Sequence, residues 1–412
     1  MSAGPSGATS GRGEVRTLAL PASLEAALRS GHPWVYRNHL PEAGLRTGDV
    51  VRVEAGNAAA YGVYDGAGSI ALRLFGERPT RELIAERVAA ALALRAGLPA
   101  AGNDAYRLIN GEGDFLPGIV CDRYGRFAVM KAYAAGVERF LPDVAREVGA
   151  RLRLKGVALR GGLADDEEDA EAGDERGASG PGRGAHGLTA LWGELPPPEL
   201  TVTENGLRFV ADPWRGQKTG LFLDQRDNRQ LVRRLAAGRR VLNLFAYNGG
   251  FSVYALAGGA EAVVSVDVSR PALEAAERNV ALNPASGEHS ALAADIFEAL
   301  PRWAQQEQRY DMVVLDPPSL ANNATQRRRA QRAYLRLNRD ALRLVEPGGL
   351  LVTASCTAQV APEQFREVVA EASRAAGVRV QIVADQGHAL DHPVPLSFPE
   401  GRYLKFLVLR VL

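Results

Sequence analysis

Six residues with chemical or conformational significance follow short apolar stretches in the C-terminal half of the sequence. They are the glycine pair Gly249 and Gly250, the three acids Asp267, Asp295 and Asp316, and Cys356. Glycines at such positions let the backbone turn tightly and approach a ligand closely. Carboxylates there can accept hydrogen bonds from hydroxyl or amino groups, and a thiolate can act as a nucleophile.

Each of the three acids could instead cap the helix that follows it, which is the commoner role of an acid at a strand-to-helix junction. Three acids at the ends of successive strands, however, favour a binding role. Asp267 lies 18 residues after Gly249, a spacing that suits ribose hydroxyls, and Asp295 could accept from an adenine amino group. The phosphate fingerprint GxGxxG is absent from NLFAYNGGF, which argues against a nicotinamide dehydrogenase.

These residues need strands that end at a common edge of a sheet. From about residue 201, buried strand patterns alternate with amphipathic helical ones, as in RRVLNLF, FSVYALAG, AVVSVDV, RPALEAAERNVALN, DMVVLDPP and GGLLVTAS. The alternation predicts an α/β fold with a doubly wound, mostly parallel sheet, completed by VRVQIVAD and YLKFLVLRV. Ligands bind such sheets beyond the carboxyl ends of the strands.

The N-terminal half has a different pattern. Short alternating segments such as GDVVRVEA and SIALRLF predict a small β-rich domain, and ELIAERVAAALALRAGL predicts a helix in an α+β connecting domain. Residues 1–15 read as a disordered tail. Residues 162–187 are acidic and glycine-rich, which predicts a disordered insertion within a middle domain of residues 86–200.

Composition narrows the class of protein. The 412 residues contain two cysteines, too few for a disulfide framework or a four-ligand zinc site, and no apolar run long enough to span a bilayer. We therefore expect a soluble, cytoplasmic protein without a metal centre. Eight carboxylates between residues 164 and 175 mask a basic remainder, whose formal charge would otherwise be about +9. A basic surface permits a nucleic-acid partner.

The glycine loop, the acids after the second and third strands and the LDPPS motif together resemble the class I methyltransferases. The resemblance covers about 210 residues and implies S-adenosylmethionine as the cofactor. It departs at Asn243, where an acid is often found. Among relatives, loops of this type hold a planar nucleobase or amide near the methyl donor, so Pro317 and Pro318 are expected to line the substrate pocket.

Cys356 follows the predicted fifth strand, so we expect it beside this pocket. Small buried cysteines are, however, common core residues, and this is the role that we expect for Cys121. Carbon 5 of a pyrimidine is a poor nucleophile, and its methylation requires a thiolate to add at carbon 6. Asp316, if protonated, could hydrogen-bond the N3 side of the ring. The residues therefore favour pyrimidine methylation, with two alternatives: a guanine methyltransferase in which Cys356 only packs, or a non-catalytic RNA-binding protein that holds the cofactor.

Nearly the whole chain resembles the PUA-domain-containing 23S ribosomal RNA cytosine-5 methyltransferases, in the strings GHPWVYRNHL, GQKTGLFLDQRDNR, NLFAYNGGFSVYA, LDPPS, SCT and FPEGRYLKF. The resemblance implies a PUA RNA-binding domain over residues 16–85, a Rossmann-like, seven-stranded methyltransferase domain over residues 201–412, and 23S ribosomal RNA as partner. It also implies that Cys356 is the sole nucleophile and leaves the releasing base unassigned. A homodimer is compatible with it, although no coiled-coil seam demands one.

The resemblance adds the remaining site residues. The expected cofactor contacts are Phe222, Asp224, Arg226, Asn243, Phe245, Tyr247, Gly249, Gly250, Asp267, Val268, Asp295, Ile296 and Asp316. For Arg229 we favour an amphipathic helix that exposes it to solvent. The expected substrate contacts are Lys218, Pro317, Pro318, Arg327, Arg328 and Tyr403, with Arg329, Arg332 and His392 nearby. A basic run is usually solvated surface, but beside a nucleobase pocket it can hold phosphates.

Overall fold

The structure is a computed structural model that describes residues 15–161, 187–306, 308–321 and 324–412. The predicted N-terminal tail and the predicted acidic insertion lie outside the described residues, apart from residue 15 and residue 187. Within the described ranges, no helix is long and apolar enough to cross a bilayer.

The first sheet contains five short strands in the spatial order β1-β3-β4-β5-β2. Its elements are β1 (Thr17–Ala19), α1 (Glu25–Ser30), β2 (Trp34–Tyr36), β3 (Val50–Ala55), β4 (Ala58–Tyr64) and β5 (Ile70–Gly76). Every second residue of β3 is buried, so one face of that strand packs on the core that includes Val35, Val53 and Leu72. The prediction of a β-rich start is confirmed.

The second sheet has the order β10-β9-β8-β7-β6 and packs against two helices. Its elements are α2 (Arg81–Leu94), β6 (Ala105–Asn110), β7 (Ile119–Tyr124), β8 (Phe127–Ala132), α3 (Leu141–Leu152), β9 (Gly156–Arg160) and β10 (Leu188–Gly193). Cys121 is fully buried in this core, the place expected for a packing residue. A two-stranded ribbon of β11 (Leu200–Glu204) and β12 (Leu207–Ala211) follows.

The third sheet has seven strands in the order β15-β14-β13-β16-β17-β19-β18. The strands are β13 (Arg240–Leu244), β14 (Ala262–Asp267), β15 (Glu288–Ala293), β16 (Tyr310–Leu315), β17 (Val345–Ser355), β18 (Val380–Gln386) and β19 (Lys405–Val411). The first five are parallel, and β19 runs antiparallel between β17 and β18. The predicted seven-stranded, mostly parallel sheet is confirmed.

Helices cover both faces of this sheet. They are α4 (Arg226–Leu235), α5 (Gly250–Ala257), α6 (Arg270–Ala281), α7 (Ile296–Gln305), α8 (Arg327–Leu342) and α9 (Pro362–Ala376). Leu242 belongs to the core beneath α7, α8 and α9, whereas its neighbour Val241 belongs to the core beneath α4 and α5. The strand order reverses at β13, because β14 lies on one side of it and β16 on the other. Such a reversal opens a crevice at the carboxyl edge of a sheet.

Candidate active site

The loop after β13 has an unusual backbone. Phe245, Tyr247 and Gly249 all have positive φ angles, of 59°, 46° and 76°. Bulky residues rarely adopt this region, and such conformations are concentrated at functional sites. Gly249 is required by packing as well, since a Cβ there would lie 2.7 Å from the Cβ of Ala276 on α6. The loop is therefore held in a shape that the local sequence disfavours.

Asp267, the last residue of β14, holds this loop in place. One carboxylate oxygen accepts the backbone N–H of Tyr247 at 2.9 Å, and the other accepts that of Ser269 at 2.9 Å. Next to it, Val268 is 73% exposed, so an apolar side chain faces outward at the crevice. An exposed valine beside a half-buried acid is a surface that can contact a ring and a hydroxyl-bearing sugar together.

Two other predicted cofactor residues have structural partners. Asp295 caps α7 by accepting the N–H of Phe297 at 2.8 Å, which is the commoner role that the sequence left open, and Ile296 is buried behind it. Asn243 is buried and donates to the hydroxyl of Ser252 at 2.8 Å, while its Oδ1 has no partner among the described residues. Contacts of these residues with a cofactor remain predictions.

Asp316, at the end of β16, is half-buried and accepts hydrogen bonds from Nε2 of Gln225 on both carboxylate oxygens at 3.1 Å. Burial raises the pKa of Asp316 to about 7, and the negative charge of Asp224 adds to this effect. The charges of Lys218 and Arg229 oppose it without cancelling it. Near neutral pH, Asp316 can therefore act as a proton donor.

Asp224 has the opposite behaviour, because its neighbours stabilise its charge. Burial alone would raise the pKa of Asp224, but Lys218, His392 and the hydroxyl of Tyr403 hold the pKa well below its usual range. Its Oδ2 accepts from Nζ of Lys218 and from the Tyr403 hydroxyl, each at 2.7 Å. Its Oδ1 is buried without a partner in the described chain.

Cys356 directly follows β17, and its thiol sulfur lies 3.9 Å from the carbonyl oxygen of Pro317. Burial raises the pKa of the Cys356 thiol to about 12, with a further contribution from Asp316. Lys218 and Lys405 are the cations that lower it. In the free protein the thiol is therefore protonated, and any thiolate depends on these two positive charges.

Lys405, the first residue of β19, was not among the predicted site residues. It is 4% exposed, and its Nζ donates to the carbonyl oxygen of Thr357 at 2.5 Å and to that of Tyr403 at 2.8 Å. Burial lowers the pKa of Lys405 to about 8, against the opposing influence of Cys356. Within the described residues it forms no ion pair with a carboxylate. A lone lysine in the apolar run YLKFLVLRV was the available signal.

Two arginines are buried in ion pairs. Arg226 is 1% exposed and forms a bidentate ion pair with Asp391, at 2.7 and 3.0 Å, so its guanidinium braces the fold, and its contact with a cofactor remains a prediction. Asp391 also accepts the backbone N–H of Arg107 at 2.8 Å, which joins the second sheet to the third. Arg229 is buried against Glu204, at 2.9 and 2.7 Å, so the prediction that solvent surrounds it was wrong.

The other predicted residues are near the same edge. The ring of Phe222 contacts that of Tyr247 edge-on with centroids 5.3 Å apart, and Nζ of Lys218 lies 4.5 Å from the Phe222 centroid. Gly250 begins α5, where a Cβ would lie 3.1 Å from Cδ of Arg229. Of the two prolines, Pro317 is buried and Pro318 is exposed.

The basic run lies in the exposed first turns of α8, shortly after the LDPPS loop. Cations are unfavourable at the N-terminus of a helix, where the macrodipole is positive. Such a violation of a local rule is expected at functional sites. The residues concerned are Arg327, Arg328, Arg329 and Arg332, none of which forms an ion pair with the residues that the structure describes.

Comparisons with known proteins agree with this description. Residues 189–384 match the family of S-adenosylmethionine-dependent methyltransferases, and residues 19–76 match PUA-like domains. The expectation of S-adenosylmethionine as the cofactor is thereby confirmed. A similar fold occurs in a protein provisionally classed as a methyltransferase and crystallised with SAH, with a TM-score of 0.82 and 21% identity over 96% of this chain and all of that one.

Two relatives are similar along almost their entire length. A ribosomal RNA large subunit methyltransferase from Deinococcus radiodurans is 41% identical over 409 residues, covering 96% of this chain and 97% of the relative. Ribosomal RNA large subunit methyltransferase I from Erwinia tasmaniensis is 36% identical over 420 residues, covering 96% and 99%.

Proposed function

The chain belongs to the family of S-adenosylmethionine-dependent ribosomal RNA large subunit methyltransferases, and we propose that it methylates carbon 5 of a cytosine in 23S ribosomal RNA. The observation that carries this proposal is the proximity of the Cys356 thiol to the DPPS loop that begins with Asp316. A nucleophilic thiol beside an acid with a raised pKa is the pair that pyrimidine carbon 5 chemistry requires.

The residues at the carboxyl edge fit the cofactor. The left-handed loop that ends at Gly249 lies at the carboxyl edge of the sheet, and Val268 offers an exposed apolar contact for the adenine of the cofactor. Asp267 can accept from the ribose hydroxyls, and Oδ1 of Asp224, which has no partner among the described residues, can accept from the amino group of the methionine part. When bound, S-adenosylmethionine supplies an electrophilic methyl group.

The chain's own residues act on the cytosine. The Cys356 thiolate adds to carbon 6 and forms an Sγ–C6 bond, while Asp316 donates its proton or a hydrogen bond at N3. The displaced electron pair makes carbon 5 nucleophilic, and carbon 5 accepts the methyl group. The transfer leaves S-adenosylhomocysteine as the co-product. Loss of the carbon 5 proton to a base then restores the ring double bond, N3 returns to Asp316 any proton that it received, and the Sγ–C6 bond breaks to return the thiolate.

Lys405 supports the first step. The buried thiolate and the buried ammonium are each costly alone, because a charge in a low-dielectric interior lacks solvation. Placed together, each stabilises the charged form of the other: Lys405 lowers the pKa of Cys356, and Cys356 raises the pKa of Lys405. Lys405 is a positioning residue, since its hydrogen bonds join the backbone of Thr357, the residue after the nucleophile, to that of Tyr403.

The RNA substrate is supported by the PUA-like domain and by the exposed basic turns of α8 beside the LDPPS loop. The test is methylation of unmodified 23S ribosomal RNA, followed by mass spectrometry of its nucleosides. The expected product is 5-methylcytidine, and a methylated guanosine would contradict the proposal. Cys356→Ser should lose methyl transfer while calorimetry shows unchanged cofactor affinity; a fully active serine variant would exclude the covalent mechanism.

A further inference from the structure

A separate cavity of about 280 Å³ lies at the same edge of the sheet, between the end of β18, the start of β19 and the first turns of α9. Its wall includes Asp385, His388, His392, Arg402 and Lys405, and we call it the His392 cavity. It adjoins the proposed catalytic centre through Lys405, whose Nζ bonds the carbonyl oxygen of Thr357, the residue after Cys356.

Several acceptors in the wall of the His392 cavity already have partners. Oδ2 of Asp385, the only carboxylate among the described lining residues, is bound by Arg366 in an ion pair. The carbonyl oxygen of Gly387 accepts from Nδ2 of Asn228 at 3.0 Å. The Nε2 atom of His388 accepts the backbone N–H of Leu404 at 3.2 Å. A ligand in the cavity would therefore meet few free acceptors.

The donors, in contrast, remain available. Since Nε2 of His388 is an acceptor, its Nδ1 carries the proton. Lys405 uses two of its three N–H groups in the described hydrogen bonds. Arg402 is exposed and forms no ion pair within the described part of the chain. Such a set favours an anionic ligand over a nucleobase, because a base needs acceptors as well as donors.

His392 is the most informative member of this wall. It is 4% exposed, and its Nδ1 lies 2.9 Å from Oδ1 of Asp391, while its Nε2 has no partner among the described residues. Burial alone would raise the pKa of Asp391, but His392 and Arg226 hold the pKa well below its usual range, so the carboxylate is ionised. Nδ1 of His392 faces this carboxylate, so Nε2, which has no partner among the described residues, is the ring atom that can meet a ligand.

We propose that the His392 cavity binds a phosphodiester group of the RNA strand next to the nucleotide that reaches Cys356. This inference rests on the proposed function for the identity of the strand. His388, Arg402 and Lys405, which carry N–H groups, line one small cavity together with His392, and several such donors are what a tetrahedral phosphate requires. Such a contact fixes the register of the RNA strand on the protein and does not distinguish one base from another.

The first test compares Arg402→Gln with Arg374→Gln, a matched control that removes an exposed arginine from the far end of α9. Both changes are made in the full chain carrying Cys356→Ala, and the Kd for a 23S ribosomal RNA fragment is measured over a range of salt concentrations. Loss of one phosphate contact should reduce the slope of log Kd against log salt by about one for Arg402→Gln relative to the control. Equal slopes would overturn the proposal.

The second test uses inorganic phosphate as the probe and the imidazole resonances of His392 as the readout. Saturable shifts in the wild-type chain that weaken at least tenfold in Arg402→Gln would support the cavity. If phosphate shifts the His392 resonances but Arg402→Gln and its control have the same salt slope for RNA binding, the cavity binds free phosphate and the RNA assignment is overturned. Both tests measure binding and not methyl transfer. They can therefore be interpreted even if Cys356 proves not to be the nucleophile.

Discussion

The sulfur of Cys356 lies 3.9 Å from the carbonyl oxygen of Pro317, so the end of β17 and the loop after β16 meet at one point. The thiol and the carboxyl of Asp316 are thereby brought to the same wall, although 40 residues separate them in the chain. Both groups have raised pKa values because both are buried; the charge of Asp224 further raises the pKa of Asp316, and that of Asp316 further raises the pKa of Cys356.

Asp316→Asn should change the pH profile of single-turnover methylation. In the wild type, the rate should rise about tenfold per pH unit below pH 7, because the thiolate fraction rises. Above about 7 it should level off, because each gain in thiolate is matched by a loss of protonated Asp316. The asparagine does not titrate, so its slower reaction should keep rising through pH 7 to about pH 8, where Lys405 begins to lose its charge.

The control for this profile is Asp311→Asn, at the opposite end of β16. It should retain the wild-type curve. If Asp316→Asn also levelled off near pH 7, then Asp316 would not be the group that limits the profile.

Lys405→Met should make Cys356 less reactive towards iodoacetamide. Loss of the ammonium removes a charge that favours the thiolate, so the thiol pKa should rise by about one unit and alkylation at pH 7 should slow about tenfold. Peptide mass spectrometry separates Cys356 from Cys121, which is fully buried. Lys405→Arg, which keeps the charge, should restore most of the rate, and the exposed control Lys155→Met should leave it unchanged. Equal rates in all three variants would remove Lys405 from the account.

Asp267→Asn should weaken S-adenosylmethionine binding in calorimetry. A hydrogen bond to a charged group contributes about 1.5–3 kcal/mol, which corresponds to a Kd about 10–100 times higher. The amide keeps one acceptor for the Tyr247 N–H, so the loop should persist. Glu261→Gln, just before the amino end of β14, is the matched change at the wrong end of the strand and should leave affinity intact. Similar losses in both variants would point to general destabilisation.

Arg226→Met should destabilise the folded chain strongly. Removing one partner of a buried ion pair leaves Asp391 with only His392 and the backbone N–H of Arg107 as partners, and such a loss costs about 3–5 kcal/mol. Arg278→Met breaks the exposed pair with Glu199 and should cost less than about 1 kcal/mol. Urea unfolding followed by circular dichroism measures both. A small effect of Arg226→Met would show that the ion pair with Asp391 is dispensable.

The sequence predicted the features that depend on neighbouring residues. A buried strand followed by an acid or a cysteine is a local pattern, and it located Asp267, Asp316 and Cys356 at strand ends of a seven-stranded sheet. The carboxyl edge of a parallel sheet then brings such residues together without further information.

The sequence could not predict contacts between distant segments. Arg226 and Asp391 are 165 positions apart, and Arg229 meets Glu204 across a ribbon whose placement depends on tertiary packing. Lys405 was missed because an amphipathic strand explains a single lysine equally well until β17 is known to be its neighbour. The predicted helix around Arg229 was correct, but Glu204, which covers this arginine, lies in a distant segment of the chain.

Attack of Cys356 on carbon 6 of cytosine is tested most directly by trapping the covalent adduct. In 23S ribosomal RNA carrying 5-fluorocytidine, fluorine replaces the proton that must leave, so the Sγ–C6 bond should persist after methyl transfer. Intact mass and peptide mapping should then find one RNA-linked chain modified at Cys356, and none with Cys356→Ala. Formation of 5-methylcytidine by Cys356→Ala, or a linkage at another residue, would contradict the account.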